Sequence, residues 1–214
     1  MIIVTGSGRC GSSLLMQTLH LLGLPLFGDP LGGEYNTLAP LDQNGNIAEQ
    51  IRNKNPKGYW ELDIQSVLDM CPSDFPEHEG KVMKALGGTF PSIGNEVIEK
   101  VILCLRRDRR KQAKSMHELI QLEGKIHDTT NKNLGYAGEL IGKIKHWSEE
   151  DVKRSQYFSL DIITKKILEG NLPTFTIYFE DILAKPKESI KDIARFLEIE
   201  NASIKKAVAN IDKR

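Results

Sequence analysis

No stretch of the chain approaches the about 18 uninterrupted apolar residues that a membrane-spanning helix needs. It opens Met1-Ile2-Ile3-Val4-Thr5-Gly6, with no basic region ahead of the apolar run, so neither a signal peptide nor a membrane span is expected. Cysteine is scarce: Cys10, Cys71 and Cys104 are odd in number and form no CxxC or Cys/His cluster, which argues against zinc and against a secreted disulfide framework. A cytoplasmic location is the expectation. An excess of charge of either sign is lacking as well, since 29 Lys and Arg face 29 Asp and Glu. A general nucleic-acid or anionic-membrane binder is disfavoured, and any anion site must be a focused one. Proline and glycine, at 9 and 18 of 214 residues, are too few for collagen-like or low-complexity chains.

What is present is the pattern of one ordinary globular domain over residues 1–214, 40% hydrophobic and 27% charged. Strands are expected at Ile2 to Thr5, Lys81 to Leu86, Val101 to Leu105 and Phe175 to Phe179, with a weaker one at Leu24 to Phe27. Helices are expected from about Ser12 to Leu22, where Gly23 stops the run, through Met70, from Arg107 to Leu122, over much of Leu134 to Gly170, and from Pro186 to Leu197. Residues 28 to 58, rich in Gly, Pro, Asn and Asp, read as a long loop of the kind that is usually functional or mobile. Trp147 and Phe158 read as core anchors. Alternation of strands and helices predicts an α/β fold: a single three-layer domain around a central parallel sheet.

Strand 2–5 runs into Gly6-Ser7-Gly8-Arg9-Cys10-Gly11-Ser12-Ser13 and then into a helix. Backbone N–H groups and the helix dipole make such a turn an anion site. Two motifs fit it. Gly6, Gly8 and Gly11 spell GxGxxG, the dinucleotide fingerprint, for which Asp29 is the nearby acidic candidate. Gly6 to Ser13 also fits the frame of a P-loop, with Ser12 in the place of its lysine. The P-loop-like reading explains more, because Arg9 supplies on the loop itself a planar cation suited to sulfate or phosphate oxygens, and Ser12 and Ser13 add hydroxyl donors. The competing reading is a tight glycine turn with Arg9 in a surface ion pair. Lys100 to Ser115 repeats the arrangement, with an apolar strand, Arg106-Arg107 and a helix carrying Ser115 two turns on. Arg107 stands at the C-terminal edge of its strand, where open α/β sheets bind ligands; the other basic residues of the run read equally as a solvated helix face.

These residues resemble those of sulfotransferases that use 3′-phosphoadenosine 5′-phosphosulfate (PAPS). Arg9-Cys10-Gly11-Ser12-Ser13-Leu14-Leu15 is similar to the family's RSGTTLL-type 5′-phosphosulfate loop, and Arg107 with Ser115 to its 3′-phosphate clamp. Asn55-Pro56-Lys57-Gly58-Tyr59-Trp60-Glu61 resembles the NPxGYxE segment of bacterial members, and Tyr178 to Pro186 with Phe196-Leu197 their YEDLLxxP…FL ending. The resemblance runs in order from residue 2 to about 199. It departs from the family at Arg109, where proline is usual, in the glycine-rich C-terminal nucleotide element, which is not visible, and at Leu86, near the position of a catalytic histidine.

The resemblance implies transfer of a sulfuryl group to a hydroxyl or amine of a small-molecule or carbohydrate acceptor, with PAPS as co-substrate and no metal. Gly8, Arg9, Cys10, Gly11, Ser12, Ser13, Leu14, Arg107 and Ser115 would hold the nucleotide. Arg9 and Lys84 would stabilise charge on the leaving group, and the base stays open between Glu61, Glu34 and an unassigned group. Glu61 reads equally as a first-turn helix acid. Lys84 reads equally as a solvated strand-end residue. Tyr35, Tyr59 and Trp60 would line the acceptor pocket or pack over the sheet edge. Two further function classes remain: a small-molecule kinase using Mg²⁺-ATP, against which Ser12 counts, and a nucleotide-binding module without catalysis. Acceptor identity and oligomeric state are open.

Overall fold

The computed structural model describes residues 1–27, 79–130, 135–199 and 204–211, and of 126–130, 135–139 and 210 the backbone alone. Four strands, β1 (Ile2–Thr5), β2 (Val82–Lys84), β3 (Lys100–Leu105) and β4 (Thr174–Tyr178), form a sheet in the order β2-β1-β3-β4. Every pairing is parallel, with Val4 opposite Lys84 on one side and Ile102 on the other. Four of the five expected strands are present, β1 with the expected ends and the other three shifted by one or two residues. Leu24 to Phe27 contributes a single parallel bridge, Leu26 to Val82, rather than a strand.

The helices are α1 (Ser12–Leu21), α2 (Arg109–Thr130), α3 (Gly135–Ile144), α4 (Glu149–Glu169), α5 (Phe179–Ala184), α6 (Pro186–Phe196) and α7 (Ile204–Ile211). α1 stops where expected, with Gly23 at φ 94°, the left-handed conformation that glycine adopts at no steric cost. α4 opens on a reciprocal cap, Ser148 Oγ accepting from the Asp151 N–H while Asp151 accepts from the Ser148 N–H.

Side-chain alternation along the strands divides the core in two. Ile2, Val4, Ile102 and Cys104 face α1, α6 and α7 through Leu15, Leu19, Ile190, Ile193 and Ala207. Met1, Ile3, Val101 and Leu103 face the other way, onto Phe90 and onto Ile163 and Ile167 of α4. Helices thus cover both faces, which is why β1 and β3 read as unbroken apolar runs. Trp147 packs beside Val152, Ala113 and Ile120 where α4 meets α2. Phe158 does not anchor the core: it is 67% exposed, because Ile163 and Ile167 occupy the α4 face turned to the sheet.

Candidate anion site at the strand ends

The chain passes from β1 to β2 on one side of the sheet and returns to β3 on the other. The C-terminal ends of β1 and β3 therefore flank the point where strand order reverses, the place where open α/β sheets form a ligand crevice. The segment after β1 is residues 6–11, and the segment after β3 is Arg106 to Asp108; both lie at that point.

Close packing dictates the glycines. A Cβ on Gly6 would collide with the Cys104 carbonyl oxygen and stand 2.7 Å from the Cys10 sulfur. Gly11, the residue before α1, has φ 103°, and a Cβ there would enter the Phe179 ring, 3.0 Å from Cγ. Arg9 itself sits at φ 63°, an uncommon conformation for a residue with a side chain. The turn is held by the Cys10 N–H donating to the Ser7 carbonyl at 3.2 Å.

Four of the residues singled out in the sequence meet in two pairs. The Arg9 Nε donates to the Ser115 hydroxyl at 3.1 Å, across 106 positions of sequence. Lys84, 3% exposed at the end of β2, donates from Nζ to the Ser13 hydroxyl at 3.2 Å. Lys84 is therefore not a solvated strand-end lysine; an ammonium this deep needs such partners. Ser12, Leu14 and Cys10 are buried beneath the loop, and Gly8 lies against the Met116 sulfur.

Arg107 is placed differently. Its Nη2 donates to Asp181 at 2.6 Å, and its guanidinium lies 4.0 Å from the centre of the Tyr178 ring. The Asp181 hydrogen bond raises the affinity of that guanidinium for its proton. The neighbouring Glu180 carboxylate accepts the Arg107 N–H at 3.0 Å and the Asp108 N–H at 3.4 Å. Burial works against ionisation of Glu180, but those N–H groups and the Arg106 charge hold it below the ordinary carboxylate range. Arg106 lies 5.0 Å from the Phe179 ring centre and donates to the Arg9 carbonyl at 3.4 Å. The acidic pair at the start of α5 thus receives the two arginines that follow β3.

Under the loop lie two buried free thiols, Cys10 and Cys104. The Cys104 sulfur donates to the Cys10 carbonyl at 3.3 Å. The neighbouring Cys104 thiol, with help from Ser12 and Lys84, outweighs burial and brings the Cys10 thiol down to about 7. The same contact and the same burial push Cys104 up.

Sequence reasoning missed two residues. Gln112, fully buried on α2, donates from Nε2 to Ser7 Oγ at 2.9 Å and to the Gly8 carbonyl at 2.9 Å. Gln156 of α4 donates to the same Gly8 carbonyl at 3.0 Å. Gln112 stands three residues before Ser115, a spacing that places both on one helical face and marks it as a candidate; nothing near Gln156 in the sequence points to the loop. Glu61, Glu34, Tyr35, Tyr59, Trp60 and Cys71 lie outside the described residues. Among the described residues, no group of three or more His, Cys, Asp or Glu is gathered as a metal ion would require, and no helix is long and apolar enough to cross a membrane.

The chain matches no protein-family model, no curated protein and no solved structure in the corresponding comparisons.

Proposed function

We propose that the protein is a PAPS-dependent sulfotransferase, moving a sulfuryl group to a hydroxyl or amine of a small-molecule or carbohydrate acceptor. The observation that carries the reading is the Arg9–Ser115 contact: the cation of the first glycine-rich loop and the hydroxyl of the second strand–helix element meet at the reversal of strand order. Two strand–turn–helix elements that meet there suit a nucleotide with anionic groups at both its 5′ and 3′ positions. The P-loop-like segment 6–13 would hold the 5′-phosphosulfate with its backbone and with Ser12 and Ser13.

In this reading the acceptor oxygen or nitrogen attacks sulfur in line, the bond from sulfur to the bridging oxygen breaks, and the acceptor proton passes to a base. Arg9 stabilises the charge that grows on the bridging oxygen. Lys84, held to Ser13 at the end of β2, would bring the second cation to the loop. A sulfuryl group bears less negative charge than a phosphoryl group, so side-chain cations suffice for this role. Glu61 is the first candidate for the base and Glu34 the second. Arg107 reaches a 3′-phosphate by exchanging Asp181 for it.

Calorimetric titration with adenosine 3′,5′-bisphosphate beside 5′-AMP and Mg²⁺-ATP tests the reading. Tight binding of the bisphosphate with much weaker binding of 5′-AMP supports it. Indifference to the 3′-phosphate, or preference for Mg²⁺-ATP, refutes it and puts a kinase in its place.

A further inference from the structure

We infer that Gln112 and Gln156 are positioning residues for the glycine-rich loop: their side-chain amides hold the Gly8 carbonyl, and so fix the direction in which the Arg9 N–H points. The inference rests on the sulfotransferase reading only for the identity of the anion.

The geometry is over-determined. Both glutamine nitrogens reach one acceptor, the Gly8 carbonyl, at 2.9 and 3.0 Å, from two different helices. A carbonyl oxygen has two lone pairs, and both are used. The orientation of the Gln112 amide is itself set, because its Oε1 accepts from Arg109 Nη1 at 3.0 Å and leaves the NH₂ end for Ser7 and Gly8. An amide turned the other way would set its oxygen against the Gly8 carbonyl oxygen and its NH₂ against the Arg109 donor. A trans peptide carries its C=O and N–H on opposite sides, and no peptide bond of the described residues is cis. Pinning the Gly8 carbonyl toward α2 and α4 therefore turns the Arg9 N–H away from them.

The same restraint accounts for Arg9 at φ 63°. A residue with a side chain keeps that conformation only where its surroundings impose it. Here the preceding carbonyl is tied to two glutamines and the Arg9 carbonyl to Arg106. A fully buried glutamine is a poor way to fill a core, since an apolar side chain of similar volume avoids desolvating an amide. Its presence is explained by the loop carbonyl and the Ser7 hydroxyl it satisfies. Arg109, where the resembled family usually has proline, is the outer link: it fixes Gln112, which fixes the loop.

The test measures how much the 5′-phosphate contributes to binding. In the intact protein and in Gln112→Glu, Gln112→Met and Gln156→Met, affinity for adenosine 3′,5′-bisphosphate is compared with affinity for 3′-AMP. Gln112→Glu keeps volume and the Arg109 contact but loses the donors; Gln156→Met removes one donor at the less deeply buried position and keeps the inference testable if the Gln112 variants do not fold. The ratio of the two affinities is expected to fall about tenfold in each variant, as for loss of hydrogen bonds to a charged group, while 3′-AMP binding stays within about twofold. A purely structural role would lower both affinities together, and that result overturns the inference. So does an unchanged ratio in variants of a protein that favours the bisphosphate. If the unaltered protein shows no preference for the bisphosphate over 3′-AMP, the 5′-anion site is itself refuted, and the function proposed above falls with it.

Discussion

Gly11→Ala is the most direct probe of how the loop is packed. The substitution meets two obstacles: the backbone stands at φ 103°, and the new methyl enters the Phe179 ring, 3.0 Å from Cγ and 3.2 Å from Cβ. The left-handed conformation costs an alanine about 1–2 kcal/mol, and forcing a methyl into a filled space costs about 1–3 kcal/mol more. Entropy lost from the unfolded chain returns about 0.4–1 kcal/mol. Gly23→Ala is the control, because Gly23 has φ 94° and nothing within 4 Å of its added Cβ. It carries the conformational cost and the entropic return without the collision, so the difference between the two variants isolates the ring contact at about 1–3 kcal/mol. Urea unfolding of both variants, with the midpoint shift read at constant slope, gives that difference. Phe179→Ala in the Gly11→Ala background then relieves the collision, and the double variant is less destabilised than the sum of the singles by a similar amount. The consequence for the site is specific: Phe179 lies against Arg106, which holds the Arg9 carbonyl, so moving the ring disturbs the loop. Equal costs at Gly11 and Gly23, or additivity within about 0.5 kcal/mol, would refute this account.

Arg9→Ala is expected to lower the rate of sulfuryl transfer by about 10²–10³, whereas Arg107→Ala mainly weakens nucleotide binding, by about tenfold to a hundredfold; steady-state kinetics with bisphosphate titration separates them, and equal small effects from both sink the two-site model. The thiol pair predicts a pH dependence. The folded Cys10 thiol, at about 7, lies below the ordinary value of roughly 8.5, so over that interval the unfolded chain binds more protons and stability rises with pH. Cys104, pushed up, acts in the opposite direction above the ordinary thiol range, so the pair's contribution crests between the two. Ultraviolet absorbance of the thiolate should show a midpoint near 7 that Cys104→Ala moves upward; a midpoint at the ordinary thiol value in the unaltered protein would contradict the assignment.

The fold was legible because parallel strands buried on both faces are short apolar runs, Ile2 to Thr5 ended by Gly6 and Val101 to Leu105 ended by Arg106-Arg107. Phe158 was misread because aromatic bulk in a helical pattern does not say which way the helix turns, and the Ile163–Ile167 pair four residues apart defined the inward face instead. Leu24 to Phe27 has strand-like residues but only one bridge to β2, itself three residues long. The anion elements could be found singly, since each is a strand, a turn and a helix in consecutive sequence. Their meeting could not, because Arg9 and Ser115 are joined by strand order, and one sequence does not state which strand lies next to which. The glutamine restraints are harder still: an amide acquires meaning only from the carbonyl opposite it.

Arg107, at the proposed site, has a partner to give up before it can take an anion. Arg107 holds a carboxylate, with 55% of its own side chain and 45% of that of Asp181 exposed. An exposed ion pair gains little in water and loses side-chain freedom, so it is readily exchanged for a stronger anion. A dianionic phosphate offers more charge and more acceptor oxygens than Asp181. In the proposed function Asp181 and Glu180 would offset the charge of Arg106 and Arg107 in the free protein. If Arg107 takes a 3′-phosphate by displacing a carboxylate, weaker anions would be rejected at that position, which suits the proposed nucleotide with both a 3′ and a 5′ anion.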